Sequence, residues 1–82
     1  MVVIHRAHGF RFVIYTSDHE PAHIHITGAG QAKINLFGPG GRPQVVSVAG
    51  IKQSELRRLM SVVIERRDDF LQEWERIHGQ PD

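Results

Sequence analysis

The chain contains no cysteine. Disulfides and thiolate-bound zinc are therefore excluded. Long apolar runs are also missing, and no stretch approaches the roughly 20 residues that cross a bilayer as a helix. The opening Met1-Val2-Val3-Ile4-His5-Arg6 is interrupted too soon to serve as a signal peptide. With no cysteine and no targeting segment, a cytoplasmic protein is expected. Charge of one sign is lacking too, since ten Lys and Arg against nine Asp and Glu leave a formal charge of +1. Domains that bind nucleic acid through net charge alone are clearly basic, so that mode is not indicated. There are no internal repeats and no low-complexity tract. The 82 residues are expected to form a single domain, 1–82. A domain this small buries only about 60% of its extended-chain surface and is marginally stable.

What the chain does have is histidine: six in all, three of them in Asp18-His19-Glu20-Pro21-Ala22-His23-Ile24-His25-Ile26. Side chains alternate along a strand, so His-x-His places His23 and His25 on one face. Two imidazoles on one face can bind a metal, contact a phosphate or move a proton. A zinc site needs a third donor, and His19, Glu20 and His5 are the candidates. The set His23, His25 and His19 is the metal alternative, with zinc as the divalent ion. Two imidazoles can also serve as general base and general acid, which makes His23 and His25 the candidate catalytic pair. The plainer alternative is a solvated strand face or a subunit interface.

The first half, 1–49, reads as strands. Val2 to Arg6 is a short apolar run, and Ala7-His8-Gly9-Phe10 is a turn with Gly9 suited to positive φ. Phe10, Phe12 and Ile14 then alternate with Arg11, Val13 and Tyr15. After a loop from Thr16 to Pro21, Ala22, Ile24 and Ile26 point inward while His23 and His25 point outward. Past the Gly28 turn, Ala32, Ile34 and Leu36 mark another inward set. Gly38-Pro39-Gly40-Gly41-Arg42-Pro43 is a flexible connection without the Gly-Lys-Ser/Thr of a P-loop. Val45 to Ala49 is the last strand. Pro21 fixes φ at a strand start without costing a ladder bond.

The second half is helical over 54–78, with Ser54 as N-cap, Gly79 just past the end and Pro81 following. Leu56, Leu59, Met60, Val63, Phe70, Leu71, Trp74 and Ile77 form one stripe at helical spacing. One continuous helix would be roughly 37 Å long and would overhang the sheet. Its tail, Phe70, Trp74 and Ile77, would then be a partner-binding stripe. Arg67 interrupts the pattern, and a break near Arg66-Arg67-Asp68-Asp69 is the alternative. The fold class that follows is α+β: a four- or five-stranded, mainly antiparallel meander with a long C-terminal helix packed on one face. A single helix leaves the other face, with His23 and His25, open.

Parity restricts what lies beside the histidines, because a one-residue slip inverts a strand. Ile24 must pair with Ala32 or with Ile34. The first register sets His23 opposite Lys33, and the second sets His25 opposite Lys33 and His23 opposite Asn35. Either way Lys33 shares the histidine face, with Gln31 and Asn35 near it. A fixed ammonium repels a divalent cation and attracts an anion. Lys33 and Asn35 are thus candidate ligand-binding residues for a phosphate or RNA backbone, and Glu20, just before the histidine strand, is a third candidate ligand-binding residue. His5 shares parity with Val3 and, across the turn, Phe12, and reads as a half-buried histidine rather than a ligand. His78 near a helix C-terminus is a favourable charge.

Gly9-Phe10-Arg11-Phe12, Glu20-Pro21-Ala22-His23-Ile24-His25-Ile26, Ala32-Lys33-Ile34, Glu55-Leu56-Arg57-Arg58 and the Trp74-containing end together resemble DUF4160, a small bacterial family of unknown function. The resemblance runs through nearly the whole chain, and its signature is Glu-Pro-x-His-x-His. It implies a stand-alone protein encoded beside another short protein, in the manner of toxin–antitoxin pairs. A small partner protein, an RNA target and a homo-oligomer are the partners to expect. The resemblance points to Glu20, Pro21, His23 and His25 as positions to test and brings no established activity. His8 stands where the family usually has an acidic residue, so it inherits no role. The expected function is a component of a toxin–antitoxin-like module, with His23, His25 and Lys33 contacting RNA or another phosphate-bearing ligand. A His-x-His metalloprotein and a non-catalytic interaction module are the alternatives.

Overall fold

The computed structural model describes residues 1–79. Pro81, expected just beyond the helix, lies outside them. Five strands, β1 (Val2–Ala7), β2 (Phe10–Ile14), β3 (His23–Thr27), β4 (Gln31–Asn35) and β5 (Gln44–Ala49), pair antiparallel in sequence order. The β1–β2 turn has φ +54 at His8 and +79 at Gly9, the double positive φ that a tight two-residue hairpin needs. The inward set follows the period-2 pattern: Phe10, Phe12 and Ile14 on β2, Ile24 and Ile26 on β3, Ala32 and Ile34 on β4, then Leu36. Leu59, Val63, Phe70 and Trp74 close this core from the helical side. Each such side chain removed from water is worth roughly 1.5–3 kcal/mol, and these residues fix which face of the sheet is inside.

The helical half is two helices, α1 (Gln53–Glu65) and α2 (Arg67–His78), joined at Arg66. The break expected as the alternative near Arg66-Arg67-Asp68-Asp69 is the one observed, in place of a single helix over 54–78. Arg66 leaves helical geometry (φ −108, ψ 17), and Asp68 and Asp69 then begin a new first turn, where carboxylates favour the exposed amides. Two shorter helices need not overhang. Phe70 and Trp74 are buried and Ile77 is half-buried against the core, so the expected partner-binding stripe is used inside the fold. Ser54 is not the N-cap either, because Lys52 holds that position. Gly79 does end the helix, with φ +77.

The register places Ile24 opposite Ile34, and with it His25 opposite Lys33 and His23 opposite Asn35. Across the sheet, Val3, Val13, His25, Lys33 and Ser47 form one row on the outer face. His5 does not join them. A bulge between Val3 and His5 pairs Val3 with Val13 but His5 with Phe12, which turns His5 to the core side. Among the described residues no helix is long and apolar enough to cross a membrane.

Candidate metal centre

The outer face is only partly open. The loop between β2 and β3 folds back over it and carries Asp18 onto the two histidines. The loop is held by a reciprocal pair of bonds: Asp18 N–H donates to the Tyr15 carbonyl at 3.0 Å, and Tyr15 N–H donates to Asp18 Oδ2 at 3.1 Å. That same Oδ2 lies 3.3 Å from His23 Nε2 and 3.5 Å from His25 Nε2. The three donor atoms fall within 4.8 Å of one another.

Hydrogen bonding settles which nitrogen of His23 is free. Its Nδ1 lies 2.8 Å from the Pro21 carbonyl. A carbonyl only accepts, so Nδ1 carries a proton and donates it. In the neutral ring the Nε2 lone pair then points at a carboxylate oxygen. His25 Nε2 is buried and makes no hydrogen bond. Two imidazole nitrogens and a carboxylate turned toward one point form a group that could hold a cation. An imidazole whose other nitrogen is fixed by a backbone carbonyl is the usual support of a metal ligand.

The spacing can be tested against metal geometry. Bonds of 2.0–2.1 Å in a tetrahedral zinc site put neighbouring donor atoms about 3.3 Å apart. Two of the edges, Asp18 to each histidine at 3.3 and 3.5 Å, match it, and all three donor atoms lie within 4.8 Å of one another. A direct charge-assisted hydrogen bond would be shorter, at about 2.7–2.9 Å. Two imidazoles and a carboxylate suit a first-row divalent ion, zinc included.

The surroundings are partly dry. His23 is 5% exposed. The Trp74 ring lies 5.1 Å from it, and the His25 ring lies 5.1 Å away on another side. Tyr15 packs edge-on against His25 at 4.7 Å. Burial pushes the His25 imidazole below its ordinary pKa, with His23 and Lys33 acting in the same direction and Asp18 opposing them. A histidine held neutral is in the form that binds metal. Behind His23, Trp74 Nε1 donates to Glu20 Oε1 at 3.2 Å and stacks on His78 at 4.0 Å.

The chain matches DUF4160, described as a domain of unknown function, over residues 9–75. It belongs to this family. No curated protein and no solved structure matches it.

Within this DUF4160 chain the expected site residues separate. His23 and His25 come together, but His23 is covered by Trp74 rather than displayed on an open face. That corrects the picture of both rings outward, and its cause is that α2 reaches the end of β3 where His23 begins the strand. His19 is exposed and outside the cluster. Glu20 bonds the Trp74 indole, and His5 sits beyond the sheet between Phe12 and Phe70. None of the three joins the cluster, whose third member is Asp18. Lys33 stands beside His25, and Asn35 stands opposite His23. The sequence signal for Asp18 was slight: a turn-forming Thr16-Ser17-Asp18 directly after a strand, where aspartate commonly bonds a nearby backbone amide.

Proposed function

We propose that this protein binds a divalent metal ion, zinc being the best fit, through Asp18, His23 and His25. The observation that carries this is the convergence of both Nε2 atoms on Asp18 Oδ2 at 3.3 and 3.5 Å, with His23 Nδ1 already committed to Pro21. Three protein donors leave a tetrahedral position for water or a substrate, the pattern of catalytic rather than structural zinc sites. Such an ion polarises oxygen ligands and brings the pKa of bound water toward about 7. In this arrangement His23 and His25 act as ligands. A ribonuclease-like acid and base pair has less support, because both Nε2 atoms turn toward Asp18 rather than outward. An RNA-contacting face, as one half of a toxin–antitoxin-like pair, also has less support, since it requires His23 to be displayed and His23 is 5% exposed.

The test is calorimetric titration of chelator-stripped protein with Zn²⁺. One ion per chain is expected, with Asp18→Asn and His25→Ala each weakening binding more than 100-fold and His19→Ala leaving it unchanged. At a hundredfold excess over Kd, zinc should raise the melting temperature by roughly 10–20 °C. Absence of binding by the natural chain, or equal losses in the His19 and Asp18 variants, would end the proposal.

A further inference from the structure

The carboxylates of this protein are segregated, although the helical half also carries Arg57, Arg58, Arg66, Arg67 and Arg76. The five strands contain no acidic residue, and their charged residues are Arg6, Arg11 and Lys33. The register puts all three on the outer face: Arg6 opposite Arg11, Arg11 opposite Thr27, and Lys33 in the row of Val13 and His25. Most carboxylates sit on the two helices across the sheet, at Glu55, Glu65, Asp68, Asp69, Glu73 and Glu75. Of those in the strand half, Glu20 is bonded to Trp74 and Asp18 faces the histidines. Among the described residues, then, Lys33 makes no ion pair even though it is half-buried.

Lys33 also borders a hollow of about 260 Å³ whose walls include His25, Gln31 and Ser47. His25 belongs to both features: its Nε2 faces Asp18 while its ring walls the hollow. An amide and a hydroxyl can donate or accept, so the half-buried ammonium, which only donates and carries positive charge, tips this concavity toward an anion. A divalent ion on Asp18, His23 and His25 strengthens that preference. The formal charges of metal, Asp18 and Lys33 come to +2, beside a hollow that Ala32, Val48 and Ala49 also line.

We infer that the hollow between His25, Lys33 and Ser47 binds a small oxyanion, a phosphate or carboxylate group, next to the metal ion. This rests on the metal centre proposed above and names the class of ligand it works with. Lys33 supplies the counter-charge, and Ser47 and Gln31 supply hydrogen bonds. The metal and the anion then favour each other's binding, and by linkage the factor is the same in both directions. At the separation of neighbouring strands, one net positive charge across a partly wet interior is worth roughly tenfold in affinity.

The experiment titrates inorganic phosphate into zinc-loaded protein, with protein in excess so that no zinc is free. Calorimetry and the Lys33 side-chain NMR signals report binding. The same titration is run on metal-free protein and on Lys33→Gln, and acetate is run in parallel to separate carboxylate from phosphate. Binding to the zinc-loaded chain, about tenfold weaker without metal and lost in Lys33→Gln while that variant still takes up zinc, is the expected result. Zinc uptake with no binding of either anion would overturn the inference and leave the metal centre standing. So would equal anion binding by Lys33→Gln. If the natural chain takes up no zinc, the metal centre falls alone when phosphate still binds through Lys33, and both fall when it does not. A short RNA that binds where inorganic phosphate and acetate fail would also overturn the inference, in favour of an extended phosphate-backbone contact.

Discussion

His5 and His25 invite comparison because they share so much. Each is a strand histidine with a half-buried ring, and burial lowers the basicity of each. Yet His5 looks onto carbon. Its ring lies 5.5 Å from Phe12 and 6.0 Å from Phe70, on the core side of the sheet. His25 looks onto Asp18 and His23, on the outer side. Burial and a shifted titration therefore do not mark a site by themselves. What marks it is convergence of donor atoms, and here a loop aspartate and a strand bulge decide which histidine has it. The same helix serves both regions: Phe70 packs on the His5 side and Trp74, one turn later, on the His23 side.

That pairing offers the largest effects. Phe70→Ala and Trp74→Ala should each destabilise the fold by about 3–5 kcal/mol, the usual cost of emptying an aromatic site in a core. Urea denaturation of metal-free protein measures it. Only the Trp74 change should also weaken zinc binding, by roughly 10–100-fold as for outer supports of metal ligands. If Trp74→Ala proves too unstable to handle, Trp74→Phe keeps most of the packing and removes the N–H given to Glu20. Its stability cost should be about 0.5–1.5 kcal/mol. Equal loss of zinc affinity in the Phe70 and Trp74 variants would erase the distinction between the two regions.

Asp18→Asn sharpens the contrast at nearly constant shape. Asparagine can still accept the Tyr15 N–H, so the metal-free fold should change by about 1 kcal/mol or less. Zinc affinity should fall more than 100-fold, while His5→Phe should leave it untouched. A His5 variant that loses zinc would show that the donor set has been drawn on the wrong side of the sheet.

How far the site could be read in advance follows from what makes it. Period-2 alternation fixed the inward residues, and parity then left only two registers for β3 and β4, both of which place Lys33 on the histidine face. Those features are local and repeat along the strand. Asp18 is not periodic: its position depends on how a loop closes, here by two bonds with Tyr15. The burial of His23 depends on a helix about fifty residues further along the chain, and nothing in Pro-x-His-x-His announces that. The bulge before His5 inverted its parity relative to Val3, because one extra residue defeats any count by twos. Arg67 broke the helical stripe in the sequence, and in the fold it has a use. Its guanidinium lies 4.9 Å over the Phe37 ring and donates to the Gly41 carbonyl, so α2 starts where the loop after β4 can hold it.

Lys33→Gln should separate repulsion from ligation. Removing a positive charge near a divalent ion tightens its binding, so zinc affinity should rise severalfold where every change to Asp18, His23 or His25 lowers it. Competition against a chelator of known affinity reads the sign directly. The rise should shrink at high salt, because the Debye length is only about 10 Å at 0.1 M. A fall in affinity would place Lys33 in support of the centre instead of opposing it.

The smallest effect belongs to His5 and concerns pH. Burial lowers its pKa, the nearby Arg66 guanidinium adds to that, and Glu65 opposes both. The unfolded chain, with an ordinary imidazole near 6.5, therefore takes up a proton before the folded chain does. Above that value both states are neutral at His5 and no stability is lost. As pH falls through about 6.5 the unfolded state binds more protons, and stability declines until the folded-state ring is protonated as well. His25 contributes in the same direction, so the test is a difference measured with chelator present. His5→Phe should show a shallower loss of urea stability below pH 6.5 than the natural chain, with the two curves parallel above it. Parallel curves over the whole range would mean that the ring between Phe12 and Phe70 is as easily protonated as one in water.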